Sequence, residues 1–258
     1  MILLADLGNR SLSLSIYENR QEKASFKTLS DKFKSADEYQ ETLRQFLRLQ
    51  NLTPKDIDGA ILASVVPSLT KRVEKAINTV LDKECLLLDR KLKTGLAIRM
   101  DNPSEVGSNL ISAAIGAIND YQEDCLIICL SSCLSLTLAT KDKQFLGGSL
   151  FPGMRESVSH MCETNAQLME IDLGRPNKLI AKSTKECINS GVVKGYMHLI
   201  DSLADEMEQE FGKPLRRILT GPDANILQSF MGHKYTYNPH LLMDGLYDIY
   251  IKNTSLNK

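Results

Sequence analysis

Short hydrophobic runs separated by polar turns open the chain. Residues 2–5 are apolar, residues 11–17 alternate strictly between polar and apolar side chains, and a third alternating run follows at residues 23–30. Alternation with a period of two residues is typical of half-buried β-strands, and short polar turns join antiparallel neighbours. We therefore predict a meander of three strands at the start of the chain.

A change of period then predicts helices that alternate with strands. Ser35 and Glu38 have the spacing of a capping box, which predicts a helix from there to about residue 50. Residues 59–66 form a continuous apolar run of the length expected for a buried strand. We expect Ser68 to cap the helix that follows, and Pro103 to open a later one in its first turn.

The same order of elements occurs a second time. An apolar run at residues 125–130 is followed by an alternating run at 134–140, a third predicted strand at 143–151 and a helix from about Met154. A long helix is predicted from about Ser183 to Phe211, and a strand and a helix follow it. Internal repetition of this kind predicts a duplicated α/β protein, with residues 1–112 and 113–258 as similar halves and a cleft between them.

Composition narrows the class of protein. The chain has 258 residues, 24% of them charged, and a net charge of −1, which indicates a globular protein without the basic surface that nucleic acid requires. No apolar stretch approaches the roughly 20 residues of a membrane span. We therefore expect neither a nucleic-acid nor a membrane partner, and we expect a cytoplasmic protein whose six cysteines are reduced.

Most of the cysteines are expected in the core. Cys125, Cys129 and Cys133 are spaced four apart, but the segment is predicted as strand and turn, so a metal site is disfavoured. Cys133 differs because it is expected at the cleft, where a reactive thiol is the alternative interpretation. Gly191 and Gly195 lie four apart on the predicted long helix, and we expect them to pack closely against another helix or a partner chain.

One turn near the start has the residues of a phosphate-binding loop. Asp6, Leu7, Gly8 and Asn9 join two strands; a glycine in a tight turn lets backbone N–H groups approach an anion, and an aspartate can hold a metal ion on it. An ordinary hairpin turn, which also favours Gly and Asn, remains the alternative. The chain contains no GxxxxGK[ST] motif, which excludes a P-loop.

Four motifs in this order give the chain a family resemblance. Asp6-x-Gly-Asn, Ser64-Val-Val-Pro, Asn102-Pro-x-Glu-Val-Gly and Gly147-Gly-x-x-x-Pro-Gly resemble the type III pantothenate kinases, from Met1 to about Asn253. The resemblance implies the duplicated ribonuclease H-like fold of the actin-like ATPases, with one such fold in each half. It also implies a homodimer that phosphorylates pantothenate with ATP, the first step of coenzyme A biosynthesis, using Mg²⁺ and a monovalent cation, K⁺ or NH₄⁺.

The resemblance also assigns site residues. It implies that the first hairpin and a residue of the second contact ATP: Asp6, Leu7, Gly8, Asn9, Arg10, Ser11, Leu12, Ser13 and Cys133. It implies that the following residues contact pantothenate or a similar small molecule: Met100, Gly107, Ser108, Asn109, Leu110 and Thr184. Thr184 would reach the substrate of the other protomer. Arg10 could add positive charge at the phosphates, and the alternative is that it points into solvent at the turn.

Several departures from the family fall on the chemistry. Asn109 stands where the family has its catalytic base, an aspartate, and an amide cannot accept a proton in that role. Leu130 is expected at the position of the aspartate that binds the monovalent cation, and Ser132 at that of a glycine, where its Cβ would obstruct a positive φ. Leu110 replaces an arginine, and Met100 a tyrosine. We therefore expect weak or lost kinase activity.

Two interpretations of such a chain stay open. It is either a slow pantothenate kinase or a pseudokinase that binds a ligand or regulates a partner. Thr184, which the family donates across its dimer, is retained. A chain of this kind could therefore complete the site of an active paralogue in a heterodimer, as an alternative to the homodimer.

Overall fold

The computed structural model describes residues 1–89 and 91–255, so the last three residues of the predicted C-terminal half lie outside it. The chain divides into two compact units. The first unit comprises Met1–Leu96, Asp101–Asn119 and Leu241–Lys258, and the second comprises Ala97–Met100 and Asp120–His240.

Eleven strands and seven α-helices are present in the described part of the chain. The strands are β1 (Ile2–Leu7), β2 (Ser11–Glu18), β3 (Gln21–Leu29), β4 (Gly59–Ser64), β5 (Cys85–Leu87), β6 (Ala97–Ile98), β7 (Cys125–Leu130), β8 (Cys133–Thr140), β9 (Gln144–Pro152), β10 (Arg216–Thr220) and β11 (Tyr235–Tyr237). The helices are α1 (Ala36–Leu49), α2 (Pro67–Leu81), α3 (Ser108–Tyr121), α4 (Met154–Thr164), α5 (Thr184–Phe211), α6 (Ala224–Gln228) and α7 (Leu241–Ser255).

The first unit is built on a five-stranded sheet in the order β3-β2-β1-β4-β5. The first three strands form the predicted antiparallel meander, and β4 and β5 join it in parallel. One face of the sheet packs on α1 and α2 in a core that contains Leu3, Leu62 and Phe46. The capping box of Ser35 and Glu38 at the start of α1 is also confirmed.

The second unit repeats this arrangement in a six-stranded sheet. Its order is β11-β10-β7-β8-β9-β6, in which β7, β8 and β9 form an antiparallel meander and β10 and β11 are parallel to β7. The short strand β6 adds to the edge beside β9. Strand for strand, β7 to β11 reproduce the order of the first sheet, which confirms the repeat predicted from the sequence.

The compact units do not follow the two halves of the sequence. The expected boundary between residues 112 and 113 falls inside α3, and α7 returns to the first unit from the far end of the sequence. The backbones of α3 and α7 meet at Gly116 and Gly245, where a Cβ on Gly245 would overlap the carbonyl oxygen of Ser112. Only glycine allows helices to approach this closely.

Polar side chains also fasten α7 to the meander of the first unit. The Tyr17 hydroxyl donates to Asp244 at 2.9 Å, and the Arg20 guanidinium pairs with Asp248. These bonds join β2 and the turn after it to residues more than 220 positions later in the chain.

Two predicted helix starts need correction. Val66 is the N-cap of α2 and Pro67 is its first residue, so Ser68 does not cap this helix. Proline is favoured there because the first helical N–H has no partner within the helix. Pro103 begins only a short 3₁₀ turn over Pro103–Glu105, and α3 itself begins at Ser108.

The expectation for two of the cysteines was also wrong, and of the two contacts expected for the glycines of α5, the one with another helix is absent from the described chain. A Cβ on Gly191 or Gly195 would have no atom within 4 Å, so no other element of the described chain packs closely on them. Cys187 is exposed and Cys162 is half-buried, whereas Cys85, Cys125 and Cys129 are buried as predicted. Cys133, which was not expected in the core, is exposed at the start of β8.

Candidate functional site

The carboxyl ends of β1 and β4 lie side by side in the first unit. The two strands are parallel, with Asp6 opposite Ala63, and the Val65 N–H donates to the Leu7 carbonyl at 3.1 Å just beyond them. The Ser108 hydroxyl donates to the Ser64 carbonyl at 3.0 Å and so places the start of α3 at the same edge. Ligands of α/β proteins commonly bind at such carboxyl edges.

The hairpin between β1 and β2 occupies this edge. Its loop, residues 8–10, is closed by a bond of 3.0 Å from the Gly8 N–H to the Ser11 carbonyl. Gly8 has no positive φ, and a Cβ placed on it would meet its nearest neighbour at an ordinary 3.5 Å. The fold therefore does not require glycine at this position. The absence of a side chain leaves the loop backbone open to a ligand.

The residues assigned to ATP contact by resemblance have different surroundings. Leu7 and Leu12 are buried in the core, so only their backbone could contact a ligand. Asn9 and Arg10 are exposed at the tip of the loop, and Ser11 is half-buried. Ser13 lies opposite Asp6 across the β1–β2 pair, next to the carboxylate.

Asp6 places a carboxyl group at this edge. Its Oδ1 atom is buried and has no hydrogen-bond partner in the described structure. Burial raises the pKa of this carboxyl from the ordinary 3.8 to about 7, and Lys27 offsets only part of the effect. A buried carboxylate oxygen without a partner fits a bound cation, so Asp6 is suited to hold Mg²⁺.

Asp6 predicts a pH-dependent stability. Below about pH 4 the carboxyl is protonated in both folded and unfolded chains; as the pH rises toward 7 the unfolded chain ionises first, which lowers the free energy of unfolding. Without Mg²⁺, the free energy of unfolding of Asp6→Asn is therefore expected to exceed that of the wild type by about 1–4 kcal/mol between pH 4 and pH 7. Urea denaturation across this range measures the difference. An equal gain in Asp142→Asn, at an exposed turn, would contradict this origin.

The start of α3 places Asn109 beside Gly107. The Asn109 side chain is half-buried, and its Oδ1 lies 2.6 Å from the position a Cβ on Gly107 would take, with the Val65 side chain at 3.3 Å. Gly107 therefore gives the Asn109 side chain its space. The amide has no basic atom with which to take a proton.

A second hairpin, between β7 and β8, occupies the corresponding place in the second unit. The Ser131 N–H donates to the Cys133 carbonyl at 3.2 Å, and the Gly153 N–H donates to the Ser132 carbonyl at 3.0 Å. Neither Ser131 nor Ser132 has a positive φ, so the obstruction expected from the Cβ of Ser132 does not arise at either position. The hairpin accommodates serine because its turn does not use the left-handed region.

Leu130, which the resemblance places at the cation position, is buried in the second unit. It is 2% exposed and belongs to the core of the second unit with Leu126 and Ile128. Alternation along β7 places Cys129 on the opposite face, as Asp6 lies opposite the core-facing Ala5 and Leu7 on β1. The position of β7 that corresponds to Asp6 of β1 is therefore Cys129. Neither leucine nor this buried thiol fits K⁺, which prefers oxygen ligands.

Charged residues that sequence reasoning missed lie next to the second hairpin. Arg155, in the first turn of α4, donates its Nε to the buried carboxylate of Asp223 at 2.8 Å, and the Asp223 N–H donates to the Leu130 carbonyl at 3.1 Å. The carboxylates of Glu156 and Asp172 also act on the Arg155 guanidinium. The two partners of the ion pair are 68 positions apart, so no local pattern could have indicated it.

Of three further residues assigned by resemblance, two belong to the second unit and one to the first. Met100 is partly exposed, with its sulfur 2.9 Å from where a Cβ on Gly147 would lie. Thr184 is the exposed first residue of α5, and Ser183 caps that helix by accepting from the Glu186 N–H. Leu110, at the start of α3 in the first unit, is half-buried.

Comparisons with known proteins agree with the observed fold. The family model of the type III pantothenate kinases matches residues 2–206. The type III pantothenate kinases of Moorella thermoacetica and Roseiflexus sp. are 30% and 28% identical over 254 and 255 residues, which cover 98% and 99% of this chain and 100% of each relative.

One solved structure resembles this chain in its fold alone. The activator of the 2-hydroxyisocaproyl-CoA dehydratase from Clostridium difficile, solved with bound ADPNP, is 12% identical and has a TM-score of 0.57, covering 99% of this chain and 97% of that one. The chain thus has the duplicated ribonuclease H-like fold of the actin-like ATPases. None of the helices within the described residues is long and apolar enough to span a membrane.

Proposed function

Because the chain belongs to the type III pantothenate kinase family, we propose that it binds Mg·ATP and pantothenate and transfers phosphate slowly or not at all. The observation that carries this proposal is Asn109, an amide beside Gly107 at the position where the family resemblance implies the base. The intact hairpin at the edge of the first sheet and its buried Asp6 carboxylate support nucleotide binding.

The chemistry assigns separate tasks to these groups. Mg²⁺ held by Asp6 would offset the charge of the ATP phosphates, and the backbone N–H groups of the first hairpin would orient them. Phosphoryl transfer depends mostly on positioning and charge stabilisation, so a site without a base retains some rate. Loss of the base alone lowers the rate about 10²–10⁴-fold.

A direct assay tests the proposal. Purified protein is incubated with ATP, Mg²⁺ and pantothenate, in K⁺ and in NH₄⁺, and phosphopantothenate is measured by mass spectrometry while calorimetry follows binding of each ligand. We expect both ligands to bind and little product to form. Rapid turnover would contradict the inferred loss of the base, and failure of Mg·ATP to bind would contradict the assigned site.

A second candidate function is a pseudokinase that pairs with an active paralogue in the cytoplasm. The supporting observation is Thr184, which is retained and exposed at the start of α5. The exposed side chains of Leu179 and Ile180, just before this helix, give a partner chain apolar surface to cover. Purification from native cells followed by mass spectrometry tests this function: a second kinase-like chain supports it, and a homodimer alone argues against it.

A further inference from the structure

The first hairpin is held in place by a residue from the neighbouring strand, and we propose that this residue, Ser30, positions the hairpin backbone for the phosphates of a nucleotide. Ser30 follows β3, whose last residue, Leu29, pairs with Ser11. The inference rests on the proposed function, because it takes the first hairpin to be a phosphate-binding loop.

Ser30 binds two carbonyl groups of the loop at once. Its hydroxyl donates to the Gly8 carbonyl at 2.6 Å, and its backbone N–H donates to the Arg10 carbonyl at 3.0 Å. Two carbonyl groups of a loop spanning residues 8–10 are thus directed toward one residue. A third bond, from the Gly8 N–H to the Ser11 carbonyl, closes the loop itself.

Because the peptide groups are trans, these bonds also fix the direction of two N–H groups in the loop. The C=O and N–H of one peptide group point in opposite directions, so a Gly8 carbonyl directed toward Ser30 turns the Asn9 N–H away from it. The bond to the Arg10 carbonyl likewise turns the Ser11 N–H away from Ser30. Two N–H groups of the loop thus face away from Ser30, where oriented backbone N–H groups can contact an anion, and the exposure of Asn9 leaves this part of the loop accessible.

Ser30 can act in this way because the segment after it is itself anchored. Arg72 of α2 donates to the carbonyls of Lys32 and Lys34 at 2.7 and 3.2 Å. The Tyr39 hydroxyl of α1 donates to the Asp31 carbonyl at 3.0 Å. The hairpin is therefore connected through Ser30 to two helices of the core, and rigid support of this kind keeps a binding group in its productive orientation.

Calorimetric titrations distinguish a positioning role from a structural one. Mg·ATP, adenosine and pantothenate are each titrated into the wild type, Ser30→Ala, Ser30→Thr and Ser25→Ala. Ser25 is an exposed serine of β3, the strand that Ser30 follows, and serves as the matched control. Adenosine serves as the ligand control because it lacks phosphates.

We expect Ser30→Ala to weaken Mg·ATP binding about 3–10-fold, the effect of one lost hydrogen bond, and to change adenosine and pantothenate binding less than about twofold. Ser30→Thr keeps a hydroxyl and is expected to restore Mg·ATP binding. Should Ser30→Ala prove insoluble, Ser30→Cys, with a weaker donor of similar shape, replaces it in the same comparison.

Equal losses for adenosine and Mg·ATP, or no loss for either, would overturn the inference. If the wild type binds Mg·ATP and the variants at residue 30 bind it equally well, the role of Ser30 is rejected and the proposed function is left intact. A wild type that does not bind Mg·ATP rejects the proposed function, and the inference with it.

Discussion

Asn109→Asp is expected to raise the rate of pantothenate phosphorylation about 10²–10⁴-fold, the usual contribution of a general base. The substitution preserves the shape of a half-buried side chain that packs beside Gly107, so the start of α3 need not change. Formation of phosphopantothenate at saturating Mg·ATP measures the effect.

Asn109→Ala is the matched control, because it removes the amide without supplying a carboxylate, and no rise in rate is expected from it. An Asn109→Asp variant that binds both ligands and remains as slow as the wild type would show that another missing group limits the reaction. The second hairpin would then be the place to look.

A carboxylate added to the second hairpin should be placed at Cys129 and not at Leu130. Leu130 lies in the apolar core, where an ionised carboxylate would lack a partner and would destabilise the fold. Cys129 lies on the opposite face of β7. The variant with Asp at both 109 and 129 is therefore the appropriate attempt at restoration.

Gly245→Ala is expected to lower the free energy of unfolding by about 3 kcal/mol or more, the upper range for overpacking. The added Cβ would overlap the Ser112 carbonyl oxygen and lie 2.7 Å from the Gly116 nitrogen, and both are backbone atoms that cannot rotate aside. The helices α3 and α7 would have to separate. Urea denaturation of the purified variant measures the loss.

Gly191→Ala provides a control with the opposite sign. The site lies within α5 and has open space where the Cβ would go, so the substitution is expected to stabilise the helix by about 1 kcal/mol. If Gly245→Ala were as stable as Gly191→Ala, the close crossing of α3 and α7 would be contradicted.

The repeat and the first hairpin could be predicted because their signals are local. Strict alternation identifies strands such as β2 and β8, and the polar turn with Asp6 and Gly8 lies between two of them. The duplicated sheet order followed from the recurrence of that pattern. The capping box at Ser35 is local in the same sense.

The features that sequence reasoning missed depend on a face or on distant contacts. A shift of one residue along β7 exchanges the buried face for the opposite one, and this separates Leu130 from Cys129. The Arg155–Asp223 pair and the bonds from Ser30 to the hairpin join residues 68 and about 20 positions apart. A periodic pattern of apolar and polar residues cannot indicate such distant partners.

The return of α7 to the first unit has a consequence for the order of folding during synthesis. Residues 120–240 of the second unit form one continuous stretch, whereas the first unit needs α7, which is made after that whole stretch. Its early strands therefore leave the ribosome long before the helix that packs on β1 and β4 exists. During that interval the face that α7 will cover is exposed, and chaperones have the opportunity to bind it.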